Sequence, residues 1–249
     1  MQSYLPILST LVIVPFAYIV LRRWARTRAN TAILLWGIGL IFFAIGSFTE
    51  SLYAIFGWSE TWGELSLRIW YLFGAVLVVA WLGQGTVFLL WKRIARPSFV
   101  ILFIASLYGI YAVFSAPVDS TPLLDDAAEL TGKGVLPTSV RLITPFFNIY
   151  GVITLVGGAL WSAYYYLRRR TEPHRMIGNL LIAAGAMLPG IGGSLNRFGL
   201  GLYLGELVGA ILLFWGFMVA SRRVAAANPA PATSPESVPV ESTPAASTT

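Results

Sequence analysis

Seven apolar stretches, separated by short polar turns, occupy nearly all of the chain before residue 224: roughly Tyr4 to Leu21, Ala32 to Tyr53, Ile69 to Trp91, Ser98 to Ala116, Leu142 to Leu167, Met176 to Ser194 and Leu200 to Ala220. A helix of about 20 apolar residues spans the hydrocarbon layer, and backbone polar groups in lipid leave only helices or closed barrels as solutions. The alternating pattern of a membrane barrel is absent. The pattern therefore predicts an all-α, polytopic membrane protein of seven transmembrane helices over residues 1–223. The remainder, 224–249, is a Pro/Ala/Ser/Thr tail without apolar periodicity, which reads as a disordered cytoplasmic segment.

Composition sharpens this picture. With 57% apolar and 11% charged residues and a mean hydropathy of +0.73, a soluble core is excluded. The net charge of +6 sits in short loops between apolar runs, so it is a topology signal and not a nucleic-acid footprint. Arg22, Arg23, Arg26, Arg28, Lys92, Arg93, Arg96, Arg168, Arg169, Arg170, Arg175, Arg222 and Arg223 fall on one side; only Arg68, Lys133, Arg141 and Arg197 fall on the other. Retention of positive residues inside places the amino terminus outside a cell membrane and the carboxyl terminus in the cytoplasm. The first helix has no basic residue before it and arginines after it, the charge order of a retained helix and not of a cleaved signal. With no cysteine, disulfides and thiolate metal sites are excluded.

The chain also matches itself. A shift of 146 residues lays Tyr18 on Tyr164, Arg22 and Arg23 on Arg168 and Arg169, Gly39 on Gly185 and Gly46 on Gly192. Beyond a shorter turn the shift falls to 135, pairing Gly74 with Gly209 and Leu77 with Leu212. Helices one to three (about 4–93) are expected to repeat as helices five to seven (142–223), crossing in the same direction, with helix four (about 98–116) as a peripheral linker. Parallel repeats of this kind occur in transporters.

Polar residues inside the spans are the candidate chemistry, because each must find a partner or a role. Glu206 lies inside helix seven beside Gly201, Gly205 and Gly209, whose spacing of four makes a close-packing face. It should point into the bundle, and Arg197 is the nearest cation in sequence. Glu50 ends helix two and Arg68 opens helix three, the same opposite-charge junction with its order swapped. Glu50, Arg68, Asn148, Arg197 and Glu206 are expected to converge in the outer third as a ligand-binding cluster or, more blandly, as an interhelical clamp, and Asn196 is a further candidate ligand-binding residue. Gln84, between Gly83 and Gly85, is either a substrate contact or an interhelical bond in the inner half. Trp58, Trp62 and Trp70 and the run Tyr164 to Tyr166 read as interfacial belts. Helix breakers at LPGIGG (188–193) predict a broken sixth helix, Pro15 a kink in the first, and LLDDAAEL (123–130) a short surface helix. No intramembrane histidine or metal-spaced carboxylate pair is present, so no enzyme, catalytic residue, metal or cofactor is expected.

The 3+1+3 layout with an outside start resembles the SWEET family of sugar transporters over all seven helices. That resemblance implies a small-solute site between two three-helix units, with Pro15, Pro145 and Pro189 in the hinge helices one, five and six. The family's proline–glutamine signature is absent, and helix two carries no proline. The stretch YLFGAVLVVAWLGQGTVFLLWKR is similar to helix three of uncharacterised bacterial heptahelical membrane proteins, which implies no activity. A microbial rhodopsin is disfavoured because Lys92 and Lys133, the only lysines, lie in loops. The expected function is a small-solute transporter or channel with an outward-facing polar site. The alternative is a receptor-like sensor signalling through a separate partner. Lipid, a small ligand and a second copy of the chain are the expected associates, and nucleic acid is not.

Overall fold

The computed structural model describes residues 4–28, 30–123, 130–194 and 201–222. Its seven long helices are α1 (Leu5–Thr27), α2 (Thr31–Phe56), α3 (Gly63–Leu90), α4 (Lys92–Ser115), α5 (Thr138–Arg169), α6 (Pro173–Ser194) and α7 (Leu202–Ala220), and no strand occurs among the described residues. All seven are long and apolar enough to cross a membrane, so the chain has the build of an integral, multi-pass membrane protein. The expected surface helix at 123–130 and the tail after Arg222 lie outside the described residues.

The turns at 28–30, 91 and 170–172 are short, and helix ends there are closed locally. Asn30 accepts a hydrogen bond from Ala32 N at 3.0 Å and so starts α2. Arg28 and Arg170, at φ 44° and 50°, close α1 and α5 in the left-handed conformation. A single residue, Trp91, separates α3 from α4, which begins at Lys92 and not at Ser98, carrying Pro97 within it. These turns and residues 221–222 gather the arginine-rich end of the bundle. At the other end, Asp119 accepts from Thr121, whose hydroxyl and backbone N–H hold the Asp119 carboxyl below the usual carboxylate range.

One expectation about helix breaking fails. α6 runs unbroken through Pro189 to Ser194, while α1 is a single helix with Pro15 inside it. At Pro189 the proline frees the carbonyl of Gly185, and that oxygen is covered by α7: a Cβ built at Gly209 would lie 2.7 Å from Gly185 O and 3.1 Å from Pro189 Cδ. A neighbouring backbone thus shields the freed group from lipid, and the helix need not open. The local departures from α geometry fall elsewhere, as π turns at 71–77 in α3 and 152–156 in α5.

Glycines set the closest helix approaches. Between α2 and α3, a Cβ at Gly46 would lie 2.8 Å from Gly74 Cα, one at Gly39 2.9 Å from Leu82 N, and one at Gly85 2.9 Å from Ala32 O and 3.1 Å from Trp36 N. Between α6 and α7, a Cβ at Gly192 would lie 3.3 Å from Gly205 Cα, one at Gly185 2.8 Å from Leu213 N, and one at Gly216 2.7 Å from Gly178 O and 2.8 Å from Ile182 N. With no hydrophobic drive between helices in lipid, such backbone-to-backbone packing is a main source of cohesion.

The remaining contacts arrange these pairs. α1 packs on α2 and on α7, while α5 packs on α6 and on α3. α4 packs mainly on α3 through one stripe, Leu102, Ser106, Gly109 and Val113, and leaves Ile101, Ile104, Leu107, Tyr108 and Tyr111 exposed. That apolar outer face suits lipid.

Candidate functional site

The polar residues singled out by sequence separate into distinct places. Glu206 is buried, and its Oε1 accepts a hydrogen bond from Ser47 Oγ at 2.5 Å, tying α7 to α2. Glu50 lies one turn further along α2, also buried, where its Oε1 accepts from Trp70 Nε1 of α3 at 2.5 Å. Glu206 is thus bound one turn of α2 away from Glu50, but Arg68 is committed elsewhere. Its guanidinium donates to Ala116 O at 2.8 Å, to Val113 O and to Glu64 Oε1, capping the end of α4. Asn148 is half-buried on α5, and no side-chain bond links it to the acids among the described residues. Asn196 and Arg197 lie outside the described residues.

Gln84 belongs to the other half of the bundle. It is fully buried, donates through Nε2 to Ala95 O at 2.9 Å and Ser98 Oγ at 3.1 Å, and accepts from the Tyr150 hydroxyl. One side chain therefore links α3, α4 and α5, with both ends of its amide used. Its neighbour Gly83 sits against Gly151 of α5, an approach a larger residue would prevent.

The Ser47–Glu206 bond needs an acceptor oxygen rather than a charge. Glu206→Gln should therefore leave thermal stability within about 1 kcal/mol, whereas Glu206→Leu, which strands the Ser47 hydroxyl, should cost about 1–3 kcal/mol. Equal losses for both changes in thermal denaturation would mean that the charge, and not the bond, holds the helices.

A partly open cavity of about 480 Å³ lies toward the arginine-rich end of the bundle. Ala32, Ile33 and Trp36 of α2 and Gly85, Thr86, Leu89 and Leu90 of α3 form one wall; Gly158, Ala159, Ser162 and Tyr166 of α5, Arg175, Asn179 and Ile182 of α6, and Phe217, Ala220 and Ser221 of α7 form the other. Arg23 of α1 and Asn30 complete it, and α4 contributes nothing. The size suits a small molecule. Trp36 Nε1 donates to Thr86 Oγ1 at 3.3 Å, fixing one wall, while Arg175 donates to the Tyr166 hydroxyl at 3.2 Å in the other. A more open recess at the opposite end is walled by Leu52, Phe56, Trp58, Ser59 and Trp62, all from α2 and the α2–α3 turn.

None of the cavity's polar residues was among the candidates from sequence. Their arginines and tyrosines had been absorbed by the topology rule and the interfacial belt. The signal that was available is the face shared by Arg175, Asn179 and Ile182, at intervals of four and three, which carries polar groups inward along α6. Among the described residues, no three His, Asp or Glu side chains gather as a metal site requires. Comparison with family models, with curated proteins and with solved structures found no match for this chain.

Proposed function

We propose that the protein is a small-solute transporter built from two parallel three-helix units, α1–α3 and α5–α7, with the cavity on the seam between them as its solute site. The observation that carries this reading is the pairing of equivalent positions across the cavity. The shift of 146 residues takes α2 to α6, and a shift of 131 takes α3 to α7. Under these shifts the approaches of Gly46 to Gly74, Gly39 to Leu82, and Gly85 to Ala32 and Trp36 become those of Gly192 to Gly205, Gly185 to Leu213, and Gly216 to Gly178 and Ile182. The last correspondence holds atom type for atom type, carbonyl oxygen and then amide nitrogen. The cavity lining obeys the same relation: Ile33 and Asn179, Trp36 and Ile182, Thr86 and Phe217, Leu89 and Ala220, and Leu90 and Ser221 all face it.

These contacts favour a register for α7 that is one helical turn away from the 135-residue shift read from sequence, so that Gly74 answers to Gly205. They also favour α4 as the unpaired linker. A site at the junction of parallel repeats is where transporters of this build bind their solute and rock their halves. The layout keeps its likeness to the SWEET architecture, with the solute site at the arginine-rich end and not among Glu50, Asn148 and Glu206 at the other. Ser47–Glu206, Gln84–Tyr150 and Tyr71–Thr144 are polar bonds that join the two units, and a rocking motion would have to break or carry them. The same cavity, opening toward the cytoplasm, would also serve a sensor whose partner docks there, and no catalytic role is part of either reading.

The test uses the absence of cysteine. Single cysteines at Ser59, Thr171 and Ser162 are introduced and exposed to an impermeant maleimide in intact cells and in inverted vesicles, alongside flux of labelled small solutes in proteoliposomes. Ser59 should react from outside, and Thr171 and the cavity position Ser162 from inside, with solute uptake that the Ser162 adduct blocks. Thr171 labelled from outside would reverse the orientation. Ligand-dependent protection of Ser162 with no flux would replace the transporter by the sensor.

A further inference from the structure

We propose that the cavity between the two units is a site for a small amphiphilic anion, a carboxylate or phosphomonoester carrying an apolar or aromatic group. This rests on reading the cavity as the solute site. Its lining carries two guanidinium groups, Arg23 and Arg175, and no aspartate or glutamate. The two arginines come from different units, α1 and α6, so a bound anion would lie across the seam. Arg175 is held in place: its NH1 donates to the Tyr166 hydroxyl, and its Nε lies 3.2 Å from Glu172 Oε2. Glu172 itself stands outside the lining. Arg23 is set over the Phe217 ring at 5.9 Å, a cation–π placement that fixes its head at the cavity wall.

The rest of the lining supplies what an amphiphilic ligand needs. Asn179 uses its Nδ2 on Arg175 O at 2.8 Å, which fixes its amide beside the Arg175 backbone. Trp36 and Phe217, 5.9 Å apart between ring centroids, supply aromatic surface to a lining that also carries the hydroxyl of Ser162. An anion therefore meets guanidinium donors with apolar surface beside them, the composition expected of a small-molecule site.

Two sources share this chemistry, a soluble organic anion and the headgroup of an anionic lipid, and the experiment separates them. Thermal unfolding of the purified protein is followed with phenyl phosphate, benzylammonium and benzyl alcohol, and then in nanodiscs of phosphatidylglycerol or phosphatidylcholine. Phenyl phosphate should raise the transition well above the other two small probes, with apparent affinity falling about tenfold or more in Arg175→Gln and disappearing in Ser162→Glu. Stabilisation by phosphatidylglycerol alone, lost in the same variants, would assign the site to a lipid headgroup. Equal or greater stabilisation by benzylammonium or benzyl alcohol, no stabilisation by any anion, or an anion effect that survives both substitutions would overturn the proposal. Should Arg175→Gln fail to fold, Ser162→Glu, which adds an acid at a position that makes no bond of its own, still decides. Binding without flux would sink the transporter reading and leave the anion site; flux of only neutral or cationic solutes blocked at Ser162 would do the reverse.

Discussion

Alanine at Gly39 or at Gly185 should each destabilise the protein by about 1–3 kcal/mol, while alanine at Gly157 should be neutral or stabilising by up to about 1 kcal/mol. The three are all glycines within spanning helices, and composition alone ranks them equally. Their surroundings do not. A Cβ at Gly39 would meet Leu82 N at 2.9 Å and the Leu82 side chain, and one at Gly185 would meet Gly209 O at 2.7 Å and Leu213 N at 2.8 Å. Backbone atoms of a facing helix cannot rotate away as a side chain can, so α2 and α3, or α6 and α7, must separate along their length. Gly157 has nothing within 4 Å of its missing Cβ, and there the substitution only removes unfolded-state freedom. Thermal unfolding of the three variants in one detergent decides the matter. The proposed pairing of two units adds a sharper expectation: Gly39→Ala and Gly185→Ala should have similar effects, because the positions answer to each other under the 146-residue shift. If Gly157→Ala were as harmful as either, the glycines would matter for helix flexibility and not for close approach.

The architecture was legible because lipid leaves so few solutions. Seven apolar runs predicted seven helices, and most ends fall within a few residues of the predicted ones. Where they differ, a local cause is visible. α4 starts at Lys92 and not Ser98 because Trp91 alone makes the turn, and the basic segment after it is already helical. Proline removes a helix hydrogen bond and so predicts a break at Pro189; sequence does not reveal that Gly209 of the next helix covers the freed carbonyl.

The polar residues were harder. That Glu206 needs a partner followed from the cost of a carboxyl in an apolar helix, but the neighbour that supplies the bond is Ser47, 159 positions away, whose hydroxyl carried no weight in a search for charges. Arg68 and Glu50 looked like an opposite-charge pair because both sit at one junction. A long side chain near a helix end can reach several targets, and Arg68 takes the carbonyls of α4. The cavity was missed for a related reason. Arg23 and Arg175 satisfied the topology rule, and a residue explained once attracts no second question.

Arg68→Gln should cost about 2–5 kcal/mol of stability without altering anion binding at the far end of the bundle. Arg68 is 9% exposed, and its guanidinium serves three acceptors: Glu64 one turn earlier, and the Val113 and Ala116 carbonyls at the end of α4. Those carbonyls are among the groups a helix end leaves without internal partners, and a cation there also opposes the negative end of the helix dipole. Removing it strands two buried acceptors at about 1–3 kcal/mol each. The ion pair itself contributes little, since Glu64 is 56% exposed and can be hydrated once released. Glu64→Gln should therefore cost under about 1 kcal/mol, and Arg68→Lys should recover little, because one ammonium cannot span both carbonyls and the carboxylate as a planar fork does. The measurement is thermal unfolding of the three variants, with phenyl phosphate stabilisation as the second readout. A loss in Glu64→Gln as large as in Arg68→Gln would make the ion pair the clamp, and a selective loss of anion response in Arg68→Gln at unchanged stability would return this arginine to a binding role. This cap and the Gln84 bonds to Ala95 and Ser98 fasten α4 to α3 near both of its ends, so on the two-unit reading proposed above α1–α4 are expected to move as one body against α5–α7.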